Sequence, residues 1–337
     1  QRSMVLLKND GAVLPLPKSG KRIALIGPFA DDCDNLEGCW SLFGDKRIQV
    51  NLADGLRAAM DDCDDLLVAP GCGFEDAIEG GMEAALAAAN QAGVVLLAVG
   101  EPQNYSGEAQ SRNQIVLPAV QQALAEVIAA TGKPVVVLLR NGRALALEGA
   151  VRDADAIVVT WFLGSQTGTA VADVVFGDFN PCGKLPVSFP SLVGQQPLYY
   201  NRARSGRPEL PDMTEFKTRW REGSHLPLYP FGHGLSYTHF EYSAPVLDDT
   251  QLAWNGSLRV QARITNRGLC AGEELKGFRK IALQPGEHAD VEFVLDRHAL
   301  SFTRASGGFG AEPGLFDLWI APSSEAGQAV QFELLES

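Results

Sequence analysis

The stretch "GVVLLAVGEPQNYSGEAQSR", residues 93–112, runs from a continuous apolar segment into the most polar, least periodic segment in that part of the chain. A strand with one wet face alternates apolar and polar residues. One that is apolar throughout is covered on both faces, as in a parallel sheet flanked by helices. The same texture recurs in "RIALIG" from residue 22, "DLLVAP" from 65, "PVVVLLR" from 134 and "AIVVTWF" from 156. Between these runs, "AVQQALAEVIAATG" sets Val120, Leu124, Val127 and Ile128 on one helical stripe, enters after Pro118 and stops at Gly132. "GMEAALAAANQAG" reads as a second helix with a small-residue packing face. The fold class expected for residues 22–190 is therefore α/β, a mostly parallel doubly wound sandwich.

The texture changes after "GKLPVSFP". Residues 191–236 are rich in Pro, Gly, Tyr and Arg without sustained periodicity, which suits a long ordered connecting segment. From 237 to 337, "SLRVQARITNRG", "HADVEFVLDRHAL" and "GLFDLWIAP" alternate apolar and polar residues between turns, the pattern of a small all-β sandwich. No signal peptide is visible, and the abrupt start at "QRSMVLLKND" suggests a chain whose true beginning lies upstream.

Composition narrows the function. With 46% hydrophobic and 20% charged residues among 337, the chain has enough apolar surface for a core. Its net charge of −13 without a basic patch argues against nucleic acid. No run approaches the roughly 18 to 20 apolar residues of a membrane-spanning helix, so no membrane partner is expected. The six cysteines form no CxxC pair and have no histidine-rich companion, so no metal site is expected. Cys33 and Cys39 are spaced for a small disulfide loop, and buried free thiols fit equally well. "LIGPFADD" lacks the glycines of a dinucleotide turn, no GxSxG elbow is present, and "GKL" at 183–185 is not a phosphate loop. No cofactor is expected.

Ligands of open parallel sheets sit beyond the carboxyl ends of the strands. Glu108 lies in such a loop, and "GCWSLFG" (38–44) and "GSQTG" (164–168) leave equivalent strand ends. Trp40 and Phe43 are candidate flat faces for a sugar ring, and equally candidates for packing beneath the loop. By position alone Glu108 is an ordinary solvated glutamate.

Four long stretches change that weighting. "SMVLLKNDGAVLPL", "AIVVTWFLGSQTGTAVADVVFGDFNPCGKLPVSFP", "LPLYPFGHGLSYTHFEYS" and "LKGFRKIALQPGE", in this order, resemble family-3 glycoside hydrolases, the β-glucosidase and β-xylosidase group. The resemblance implies that residues 1–21 link from an N-terminal (β/α)8-type barrel, that 22–190 form an (α/β)6 sandwich, and that the last domain is fibronectin type III-like. It further implies an active site divided between two domains, with the aspartate nucleophile and most sugar contacts on the barrel. "GEAQSR" is similar to the "HEASSR" pattern of bacterial members, which places Glu108 as the general acid/base. A retaining glycosidase holds its two carboxyl groups roughly 5 to 5.5 Å apart. Glu108 then has to be protonated when substrate binds, a state favoured by desolvation and by the nucleophile's negative charge. Arg112 is expected to turn away from Glu108 and anchor the loop. By the same resemblance Trp40 and Phe43 flank the aglycone side, and Tyr105, with Ser106, sits close enough to line the pocket.

The partners so implied are a β-linked oligosaccharide or glucoside and the N-terminal barrel domain of the same enzyme, in a periplasmic or secreted setting. A homo-oligomer is compatible with the sequence. Glucose, xylose and N-acetylglucosamine all remain open, because the discriminating contacts belong to the barrel, and this chain alone is expected to be inactive. Two departures stand out. "AGEELKGF" is shorter than the family pattern by about 20 residues, a strand and loop near 274–275 that is either deleted or disordered and left out of this sequence; disorder is favoured, because loss of the strand would expose a sheet edge. "GSQTG" replaces a "GQEGG"-like run. The competing reading is a non-catalytic carbohydrate-binding or bracing module, indifferent to Glu108.

Overall fold

The computed structural model describes residues 1–201, 220–276, 279–304 and 307–336. The chain divides into two compact units, Gln1–Ser236 and Tyr237–Ser337.

In the first unit, β1 (Val5–Asn9), β2 (Ile23–Ile26), β3 (Leu66–Ala69), β4 (Val94–Gly100), β5 (Val135–Arg140) and β6 (Ala156–Val159) form one sheet in the order β1-β6-β5-β4-β2-β3. All neighbours are parallel except β1, which runs antiparallel to β6 at the edge. Residues 1–21, expected as a link between domains, thus carry an edge strand of this sheet. β4, β5 and β6 are buried along their whole length, as their unbroken apolar runs require.

Successive residues point to opposite faces. Val95, Leu97, Val99, Val137, Leu139 and Ile157 share one core with Ala85, Ala88, Leu124, Ile128 and Val151, which come from α2 (Gly81–Gln91), α3 (Ala119–Ala129) and α4 (Gly149–Asp153). The alternate residues Leu96, Ala98, Val136 and Leu138 are buried as well. α1 (Leu52–Ala59) and α5 (Thr167–Val175) pack together so closely that a Cβ at Gly55 would strike the backbone of Gly168. The stripe expected on α3 is rotated slightly. Its buried face is Gln121, Leu124, Ala125 and Ile128, because the Gln121 amide is needed inside the fold.

The connecting segment is described at 191–201 and 220–236; residues 202–219 of it lie outside the described residues. Where described, it returns to the sheet edge. Phe189 bridges to Tyr229 and Leu6 to Leu235, and the His233 ring nitrogen Nε2 lies 2.8 Å from the Leu7 carbonyl oxygen.

The second unit is all β. β7 (Phe240–Tyr242) and β8 (Val246–Leu247) pair with β10 (Leu258–Asn266), whose other edge takes β13 (His288–Leu295). β9 (Gln251–Leu252), β17 (Ala329–Leu334) and β16 (Gly314–Trp319) form the second sheet, and β9 runs parallel to β17. β14 (Phe302–Thr303) pairs with β15 (Phe309–Gly310). At the site of the expected missing strand, β11 (Gly272–Lys276) and β12 (Arg279–Leu283) make a hairpin that, among the described residues, joins neither larger sheet. The alternation of β10, buried at Leu258, Val260, Ala262 and Ile264, matches its sequence pattern. Asn266 at its end is fully buried. It accepts from Thr238 Oγ1 (2.6 Å) and Gly268 N (3.0 Å), and donates to the Cys270 (2.8 Å) and Leu283 (3.0 Å) carbonyls.

Candidate active site

The strand order reverses between β2 and β4. After β2 the chain moves outward to β3, and after β4 it moves the other way to β5 and β6. Loops leaving two neighbouring strands in opposite directions open a crevice at their carboxyl ends. The loop after β2 carries Trp40 and the loop after β4 carries Glu108. Cys39, Trp40, Gln103, Asn104, Ser106, Gly107, Glu108 and Gln110 line a cleft of about 310 Å3 between them.

A buried polar layer beneath the cleft fixes both loops. Arg140, the last residue of β5, is 1% exposed. Its guanidinium donates to Asp32 Oδ2 (3.0 Å) and to the Asn35 carbonyl (3.4 Å), and lies 4.6 Å over the Phe29 ring. Burial pulls its pKa down to about 10, against the opposing pull of Asp32, so it remains charged at neutral pH. Asp32 in turn accepts from Asn35 N (3.1 Å) and Asn35 Nδ2 (2.9 Å), and Asn35 Oδ1 accepts from Gln103 N (2.9 Å). That last bond ties the loop after β2 to the loop after β4.

The end of β4 is held by Gln121, whose amide bonds Gly100 N (2.8 Å), the Gly100 carbonyl (3.0 Å) and the Phe74 carbonyl (2.8 Å). Glu101 follows, wholly buried. It takes Arg112 on one carboxylate oxygen and Arg143 Nε on the other at 3.2 Å. Arg112 lies 4.9 Å over the Tyr105 ring. It thus turns to Glu101, as an anchor of the loop should, and no ion pair or hydrogen bond to Glu108 is present among the described residues.

Glu108 itself is exposed. The backbone on either side of it is left-handed, with φ of 108° at Gly107 and 61° at Ala109. The second value is uncommon for a residue with a Cβ and marks a loop held in a specific shape. A side chain at Gly107 would crowd Cys39, since a Cβ there would sit 2.8 Å from Cys39 Sγ and force that thiol to move. Strain and crowding therefore bracket the one carboxylate in the cleft.

The candidate residues separate on this geometry. Trp40, 69% exposed, shares the cleft with Glu108 and Ser106. Phe43 is 97% exposed and outside the lining. Tyr105 is also outside it, its hydroxyl donating to Glu75 and its ring covered by Arg112. Sequence reasoning missed Asp32, Glu101, Arg140 and Arg143. The arginine closing the otherwise apolar "PVVVLLR" was the available signal, because a charge at the end of a fully buried strand must find a partner. All six cysteines are free, Cys33 and Cys39 included.

Comparison with known proteins places this architecture. The model of the glycosyl hydrolase family 3 C-terminal domain matches residues 4–237, and that of a fibronectin type III-like domain matches 271–324. The chain belongs to glycosyl hydrolase family 3. It is 39% identical to a periplasmic beta-glucosidase of Salmonella typhimurium, covering 99% of this chain and 49% of that protein. It is 36% identical to a beta-xylosidase of Formosa agariphila, covering 97% and 48%. A mutant beta-glucosidase from Listeria innocua in complex with laminaribiose superposes with a TM-score of 0.92 at 35% identity, over 99% of this chain and 48% of that one. The chain thus spans about half the length of these relatives. The Salmonella alignment runs over 375 residues, more than the 337 of this chain, so that protein carries residues with no counterpart here. No helix among the described residues is long and apolar enough to cross a membrane.

Proposed function

We propose that this chain is the acid/base-bearing portion of a retaining β-glycosidase acting on β-linked gluco-oligosaccharides or glucosides. Glu108 is the general acid/base, Trp40 flanks the leaving group, and a barrel domain of the same enzyme supplies the nucleophile and most sugar contacts. The observation that carries this reading is the state of Glu108. It stands exposed in a cleft, on a loop of strained and crowded backbone, while the neighbouring arginines are engaged by Glu101. A general acid needs to be delivered without a cation beside it, since such a cation favours the ionised form.

In the first step the barrel's carboxylate bonds to the anomeric carbon as the glycosidic C–O bond breaks. The Glu108 carboxyl passes its proton to the departing oxygen. In the second step the Glu108 carboxylate takes a proton from water, the water oxygen bonds to the anomeric carbon, and the nucleophile leaves. Phe43 and Tyr105 have weaker claims to substrate contact than Trp40, because neither lines the cleft. A periplasmic or secreted setting accords with the name of the Salmonella relative.

The test is hydrolysis of p-nitrophenyl β-glucoside by the enzyme with its upstream region, native and as Glu108→Ala. The variant should lose turnover by about 100-fold or more, the range of general acid–base catalysis, and azide should restore part of it. Unchanged turnover would remove Glu108 from the mechanism. Calorimetric sugar binding by the present chain alone, indifferent to Glu108, would favour the bracing or binding module.

A further inference from the structure

We propose that Arg143 is a positioning residue for Glu108, clamping the loop that carries it through main-chain carbonyls on both sides; this rests on Glu108 being the acid/base. Arg143 lies in the turn after β5, so its Cα belongs to the sheet's rigid end and not to the loop it holds. Its Nη2 donates to the carbonyls of Tyr105 and Gln110, the latter at 2.9 Å. Those two carbonyls bracket Ser106, Gly107, Glu108 and Ala109. Its Nε is spent on Glu101 Oε2 at 3.2 Å, which orients the guanidinium plane toward the loop.

The clamp has a complete electrostatic logic. Glu101 is wholly buried and pairs with both Arg143 and Arg112, so the positive charge beside the loop is matched by a buried carboxylate. The neighbouring glycine serves the same contact. A Cβ at Gly142 would overlap the Ser106 hydroxyl, so the turn after β5 and the bracketed loop touch directly. A guanidinium presents several donors in a fixed fork and reaches two carbonyls and a carboxylate at once, which a lysine ammonium on a flexible stem does not reproduce. Because the contacts are to main-chain atoms, they set where Glu108 stands without touching substrate.

Leaving-group dependence in the full-length enzyme, barrel included, separates positioning from general support. Glycosylation of an alkyl glucoside or cellobiose needs protonation of the departing oxygen, whereas a dinitrophenyl glucoside departs without it. Arg143→Ala should lower kcat/KM on the alkyl glucoside about 100-fold, the scale of a 1 Å misplacement of a catalytic group, and change kcat/KM on the dinitrophenyl glucoside less than about 3-fold. With the latter substrate kcat and KM should fall together, because the covalent intermediate then waits for the misplaced base. Arg143→Lys keeps the charge opposite Glu101 and should lose about 10-fold on the alkyl glucoside only; it carries the same comparison where the alanine variant does not fold. Equal losses on both substrates, or no loss on either, would overturn the proposal. Glu108→Ala measured alongside tells the two readings apart. If it lacks leaving-group dependence, the acid/base assignment fails and the clamp's purpose with it. If it shows that dependence and the Arg143 variants do not, only the clamp falls.

Discussion

Arg140→Met is the sharpest probe of how the cleft is built. Methionine approximates the apolar stem of the arginine, so the substitution removes charge and hydrogen bonds with little change in volume. It strands Asp32, whose side chain is only 8% exposed, without its cation. Breaking a buried ion pair from one side costs about 3 to 5 kcal/mol. Asp32 keeps three donors, Asn35 N, Asn35 Nδ2 and Asp34 N at 3.2 Å, which places the expected loss near the lower end, about 3 kcal/mol. For a unit of this size that corresponds to roughly 6 to 12 °C in Tm.

Every α-helix among the described residues lies in the first unit, so the helical far-UV signal in urea or thermal unfolding reports on it selectively. Adding Asp32→Asn removes the stranded charge. The double variant should be more stable than Arg140→Met alone, and its loss should fall short of the sum of the two single losses by about 2 kcal/mol, the coupling expected for residues in one network. A loss below about 1 kcal/mol for Arg140→Met, or strict additivity in the cycle, would show that Asp32 is solvated and that the ion pair does not hold the two loops.

Two further outcomes follow from the same structure. Gly107→Val forces a β-branched residue into a left-handed conformation against Cys39, so in the full-length enzyme it should cut kcat about 100-fold by moving Glu108, while circular dichroism of the folded state stays native. His233 is half-buried, and the desolvation lowers its pKa below the ordinary 6.5 despite the raising effect of its bond to the Leu7 carbonyl. A histidine with a depressed folded value contributes full stability above pH 6.5 and loses it as pH falls through that value, because the unfolded chain takes up a proton that the folded chain resists. Tm should therefore decline from about pH 7 to pH 5, and His233→Gln should flatten that decline; an unchanged slope would assign the acid sensitivity elsewhere.

Most of the architecture is legible in the chain because burial on both faces writes an unbroken apolar run, and five such runs name β2 to β6. β1 is less visible. It is an edge strand whose last two residues, Lys8 and Asn9, are only half-buried, so "VLLKN" reads as easily as a link. The hairpin of β11 and β12 was hidden for another reason: "AGEELKGFRK" departs from the pattern that would have located it. Gln121 shows the limit of periodicity on a helix. A glutamine reads as solvent-facing, yet its amide closes both main-chain groups of Gly100, a requirement set by a strand distant in sequence.

The candidate site divides along the same physical line. Glu108 and Trp40 were reachable because loops at strand carboxyl ends converge at the crevice and because "GEAQSR" carries a resemblance. The supporting ions were not, since Asp32, Glu101, Arg140 and Arg143 are separated by tens of residues and meet only when the strand order is known. Their placement explains a chemical asymmetry in the cleft. Three of the loops at the sheet's carboxyl end contribute charge, and the buried carboxylates Asp32 and Glu101 absorb the arginines so that the surface carboxylate meets none. For the acid/base role proposed for Glu108, the consequence is that no arginine of its own domain pairs with it among the described residues.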